Sequence, residues 1–299
     1  ILAQAFLAQA ILAHAARSHR ASSSIQPEGQ FSNRPYMKLL KVLSSLRDNA
    51  DTFIVNPRDY ISAASEVLGI CACISWLLAI ASGAEHIKNN PLKDRLGYNN
   101  VCVAWDAPPA IYVAPVFFVF IAYLVIRYVY FDQMLCNLDE SMPVWKNRLF
   151  LCVNVYLAFA FIMVILIFVV DPFVNATIHS CLFMNIMVAV LSQNLANAYQ
   201  SAELCTLKTK VYLAVLSVDT FGFLLCAVIQ LGTYDETTKT RGPIPWFVVQ
   251  TFDILWFICV FVGGKFMPDA GNVQFVCSYV APPDTVVGNS TEEVHLAGN

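Results

Sequence analysis

The chain has 299 residues, of which 58% are hydrophobic and only 13% charged, and its mean hydropathy is +0.59. A soluble domain carries about 45–50% apolar and about 25% charged residues, so this chain has too little polar surface to face water all round. A net charge of −3 without a basic stripe gives nucleic acid no electrostatic footprint, and 12 glycines and 14 prolines exclude collagen-like or low-complexity architecture.

Residues 1–24 read in two ways. Ile1–Ala15 is a short apolar run ending in Ala13-His14-Ala15, the pattern of a signal-peptide core and its cleavage site. Arg17, Arg20 and Ser22–Ser24 follow, with no acid before Glu28, a composition that fits an organelle transit region. A retained extra helix beside the bundle is the alternative. Residues 25–60 form an arm. Within it Tyr36, Leu39, Leu40, Leu43 and Leu46 recur at helical spacing beside Lys38, Lys41 and Arg47, so an amphipathic helix is predicted with these cations at the headgroups. The same pattern suits a helix packed on a partner subunit.

Residues 61–267 hold the membrane domain. About 20 apolar residues cross a roughly 30 Å hydrocarbon core as a helix. Six segments qualify: Ile61–Ala84, Pro109–Tyr130, Leu149–Val170, Ala176–Tyr199, Val211–Tyr234 and Trp246–Met267. The predicted fold is therefore an all-α integral membrane protein, a bundle of six transmembrane helices with an N-terminal amphipathic helix. Of the 18 Lys and Arg residues, 13 fall on the side that receives both termini and five on the other. The positive-inside rule then puts both termini on the cytoplasmic side, or the matrix or stromal side of an organelle. Residues 268–299 read as a polar C-terminal tail. The sequons at Asn175 and Asn289 fall on opposite sides and read as chance matches.

Ionisable groups at membrane depth point to function. Asp219 in the fifth span and Asp253 in the sixth lie at similar depth, and two such carboxyls do not ionise together easily. They suit either proton-coupled transport or interhelical hydrogen bonding, with His179 and Asn185 of the polar fourth span completing a candidate intramembrane site. Asn154, Asn185 and Gln193 read as interhelical glue. Glu66 is placed to pair with Arg127 or Lys265. Tyr60, Tyr112, Tyr128, Tyr130, Trp145, Tyr212, Tyr234 and Trp246 read as interface belts. No bis-His pair within a span, H-E-x-x-H, G-x-S-x-G or P-loop occurs, so no catalytic residue, metal or cofactor is predicted. Bound lipid is expected.

Between Leu68 and Pro268 the chain resembles the DRAM-like membrane proteins, the damage-regulated autophagy modulators and their relatives. The features are Ile80-Ala-Ser-Gly83, Pro108-Pro109, Arg127-Tyr128, a very short third-to-fourth turn followed by His179, and Gln193 late in the fourth span. It departs from that pattern in its last helix, where Asp253 and Trp256 are three apart, and in its N-terminal extension. The resemblance implies a regulatory or lipid-linked role without catalytic residues. The residues themselves favour a non-catalytic accessory or scaffolding subunit of a larger membrane complex, with an organellar membrane as one address, whose partners are the bilayer and other membrane subunits. A transporter or channel using Asp219 and Asp253 is the alternative.

Overall fold

The computed structural model describes residues 38–45, 52–82, 85–106, 108–170, 172–268 and 271–276. The transit-like segment, Arg47 and the sequon at Asn289 lie outside them. In chain order the elements are α1 (Lys38–Ser45), β1 (Thr52–Val55), α2 (Pro57–Ala81), α3 (Glu85–Lys88), α4 (Pro91–Leu96), a 3₁₀ turn Val101–Trp105, and α5 (Ala110–Leu138). Then come α6 (Val144–Met163, continued as 3₁₀ to Phe168), α7 (Pro172–Gln200), α8 (Leu207–Gly232), α9 (Trp246–Val262) and β2 (Val273–Val276).

Helices α2 and α5 to α9 are long and apolar enough to cross a membrane, which makes this a multi-pass integral membrane protein. Each packs on the next in sequence and α9 returns to α2, closing a six-helix ring. Exposed rows such as Tyr112, Val116, Val119, Tyr123, Ile126 and Tyr130 on α5 recur at helical spacing and give the ring an apolar outside.

The spans are longer than hydropathy predicts. A 29-residue helix such as α5 rises about 43 Å, well beyond the hydrocarbon core. Its last two turns carry Asp132, Gln133 and Asn137, polar groups that mask a helix from any apolar window. The fourth span does start near Ala176: Asn175 breaks the helix at φ −148° and its Oδ1 accepts the Ile178 amide at 3.0 Å, so the sequon side chain serves as a cap.

The start of the first span, expected at Ile61, is also corrected. Asn56 caps α2 at the Arg58 amide and Pro57 opens the helix one turn earlier than predicted, because an Asn-Pro pair supplies both a cap and a preset φ. Ahead of it, β1 pairs antiparallel with β2, Thr52 opposite Val276 and Val55 opposite Val273. This ribbon joins the two flanks of the membrane domain at one end of the ring, here the ribbon end. Residues 85–106 and 233–245 cover the other, the cap end.

Candidate functional site

At the cap end the chain between α2 and α5 folds inward. Asn90, fully buried, caps α4 at the Leu92 amide (2.9 Å) and donates to Asp106 Oδ2 at 2.8 Å. Gly97 ends α4 at φ +88°, a conformation that favours glycine, and a Cβ there would lie 2.7 Å from Trp246 Cβ. Asn100 caps the following turn at the Cys102 amide, again at 2.9 Å. These caps drive Val101–Trp105 into the bundle, where Trp105 packs edge-on against Phe118 at 5.0 Å. On the surface Arg95 pairs with Glu236 and Arg241 Nε donates to the Asp94 carbonyl at 2.9 Å, tying the two cap segments together.

Asp253 lies beneath this turn, 1% exposed. Its carboxylate accepts the Val101 amide at 3.4 Å and the Tyr98 hydroxyl, which in turn accepts from Asn100 at 3.3 Å. Burial, then the Asp253 carboxylate, pushes the Tyr98 hydroxyl well above its ordinary range. Cys102 is raised too, by burial and then by the Asp253 and Asp106 carboxylates, which keeps it a thiol. His179 takes the Val170 carbonyl at Nδ1 (2.9 Å) and places Nε2 3.5 Å from Asp106 Oδ1. A carbonyl only accepts, so Nδ1 carries a proton. His179 is thus a hydrogen-bonded core residue under the cap.

Asp219 sits deeper, on α8, with no exposed surface. Among the described residues neither carboxyl oxygen has a hydrogen-bond donor within reach, and the group interacts electrostatically with Asp253 and Cys259. The two aspartates lie on packed neighbours, α8 and α9, and Asp219 feels the charge of Asp253. Asn185 is apart from them: its Oδ1 takes the Tyr156 hydroxyl at 2.8 Å between α6 and α7. Asp253 and His179 thus lie under the cap and Asp219 midway along α8, while Asn185 is helix-to-helix glue.

Towards the ribbon end a second polar cluster crosses the ring. Tyr128 donates to Asn197 Oδ1 at 2.9 Å and is itself bonded by Gln193, while Asn154 donates to Asp132 Oδ2 at 3.0 Å. Arg58, buried at the start of α2, acts electrostatically on both Tyr128 and Asp132. Asn154 and Gln193 are the glue the sequence predicts. Tyr60, Tyr128 and Tyr212 are not belt residues: all three are buried, and Tyr212 donates to the Cys259 carbonyl at 3.2 Å. Tyr112, Tyr130, Trp145 and Trp246 remain exposed as a belt requires. Asp132 lay just past the predicted span end, but its spacing of four from Tyr128 puts both on one helix face.

The arm is fastened here as well. Glu66 pairs with neither predicted cation; its two carboxylate oxygens accept the Lys38 and Leu39 amides, each at 3.0 Å. Lys38 reaches Asp59 at 2.6 Å and so is spent on the bundle, while Leu40 and Leu43 stay exposed. The Lys41 side chain lies outside the described residues. Arg127 stacks over Phe131, 4.8 Å from its ring centre.

A cavity of about 60 Å³ lies inside the ribbon-end half, walled by α2, α6, α7, α8 and α9 and including Arg58, Gln193, Asn197, Tyr212 and Trp256. A smaller void of about 10 Å³ lies beside His179 and Cys102. Among the described residues no group of three His, Cys, Asp or Glu side chains is arranged to hold a metal ion.

Compared with protein-family models, curated proteins and solved structures, the chain matches none. The resemblance to the DRAM-like proteins rests on its sequence features alone.

Proposed function

We propose that this multi-pass membrane protein is a proton- or ion-coupled transporter or channel, with Asp219 and Asp253 as the coupling site. The observation that carries this reading is the Asp219 carboxyl, wholly buried, with neither oxygen meeting a donor among the described residues, and under the electrostatic influence of a second acid. Leaving a buried anion uncompensated costs several kcal/mol, so the group must hold a proton or meet a cation. An apolar side chain would serve a purely structural helix contact better. A carboxyl that needs a mobile positive partner is what a coupling site requires.

The test is flux in proteoliposomes under an imposed pH or cation gradient, comparing wild type with Asp219→Asn and Asp253→Asn. At least a tenfold loss in either variant, with thermal unfolding unchanged, is expected; wild-type flux in both would end this reading. The role is non-catalytic, and lipid is expected along the exposed aliphatic rows.

A second reading, an accessory subunit of a larger membrane complex, draws support from α1. Glu66 and Asp59 hold this helix on the bundle while Leu40 and Leu43 remain uncovered. Native electrophoresis of gently solubilised membranes separates the two: a large stable complex favours the subunit, a small species the transporter.

A further inference from the structure

The ribbon-end cavity has polar walls that the protein does not satisfy. The indole N–H of Trp256, 1% exposed, and the Oε1 of Gln193, 3% exposed, both belong to lining side chains and have no hydrogen-bond partner among the described residues. One is a donor and the other an acceptor, and burying either without a partner costs about 1–3 kcal/mol. Ordered water satisfies such a pair when the space allows, at about 10–15 Å³ of probe volume for each molecule. A volume of about 60 Å³ takes about four. Ser62, Ser65 and Asn197 add further polar groups to the walls.

The position matters as much as the volume. Trp256 forms part of the wall and lies three residues from Asp253 on α9, about 4.5 Å along the axis. Gly263 and Gly264 keep the cavity open where α9 approaches α2 and α8. A Cβ at Gly263 would lie 2.6 Å from the Tyr212 hydroxyl, and one at Gly264 would lie 2.4 Å from Ser62 Oγ. Beyond Asp253 the way is filled by the turn Val101–Trp105, whose residues are all buried.

We infer that this cavity is a water-filled inlet from the ribbon end, its ligand a short file of ordered water that ends within one helical turn of Asp253. The inlet rests on the proposed coupling role of Asp253 for its purpose but not for its detection. X-ray radiolytic footprinting of the intact protein in ¹⁸O water reads it directly, because radicals formed from bound water oxidise the side chains beside it. Trp105 is the control. It is 2% exposed and its N–H also lacks a partner among the described residues, yet it lines neither cavity.

Oxidation of Trp256 at least tenfold faster than Trp105 is expected. A Ser65→Leu variant, which fills the cavity, should bring Trp256 down toward Trp105 while leaving the exposed Trp145 unchanged. Equal, slow oxidation of Trp256 and Trp105 in wild type overturns the inlet whether or not the variant folds. That outcome leaves the coupling site to be judged by the flux of the aspartate variants, so the two failures are distinguishable.

Discussion

The two ends of the bundle bury polar groups in different ways. At the cap end, short helices and asparagine caps bring backbone and side-chain donors down onto Asp253 and Asp106, with His179 beside Asp106, and the neighbouring void is about 10 Å³. At the ribbon end the contacts are amide-to-phenol and amide-to-carboxylate bonds between long helices, around a cavity of about 60 Å³. One end is plugged by a folded loop; the other has room for solvent. That asymmetry is what access to an axial site from one side needs, and it follows from where the chain spends its turns.

The sharpest way to break this contrast is to overfill the cap. Gly97→Val adds a β-branched side chain at φ +88° and 2.7 Å from Trp246 Cβ. Backbone strain and overpacking together should cost roughly 2–5 kcal/mol, seen as a large fall in thermal stability in detergent. Next comes a matched pair. Asn90→Ala removes both a helix cap and the donor to Asp106, and should cost about 2 kcal/mol. Tyr128→Phe, at the ribbon end, removes one hydroxyl from a network with other members and should cost about 0.6–1.5 kcal/mol. Equal losses in the two variants would erase the distinction between a locked and an adaptable end.

The smallest expected effect concerns the exposed cap hairpin. Asp235 accepts from Thr237 and Thr238, and these hydrogen bonds hold its carboxyl at about 2, below the ordinary 3.8. A lowered carboxyl contributes order that is complete above its unfolded value and is lost as pH falls through its folded one. Protection of the Thr237 amide from hydrogen exchange should therefore hold down to about pH 4 and disappear towards pH 2, with no change in the Asn197 region. Asp235→Asn should flatten that dependence.

Much of this architecture is legible in the amino acids. The six spans follow from hydropathy, and the polar fourth span is buried along the face that carries His179, Gln193 and Asn197. The errors have physical causes. An acid or amide interrupts an apolar window before the helix itself ends, so hydropathy excludes Asp132 from the helix that buries it. Tyrosine suits an interface and a buried hydrogen bond equally, and only the fold separates Tyr112 from Tyr128. The ribbon joins segments more than two hundred residues apart, and no local signal announces a pairing of that range. Glu66 was assigned a cation because charge is visible in a sequence, whereas the amides of α1 that it binds are not. Of the candidate site, Asp219 and Asp253 were readable from depth and helix adjacency. Tyr98 and Asp106 were not, because they reach the bundle on a loop whose path is set by the caps at Asn90 and Asn100.

The central claim is that Asp219 exchanges its positive partner as the protein works, and infrared difference spectroscopy across a pH jump tests it most directly. Wild type should show a protonated-carboxyl band that changes with pH and is missing from Asp219→Asn. A difference spectrum that is identical in the two proteins, with both folded, would contradict it.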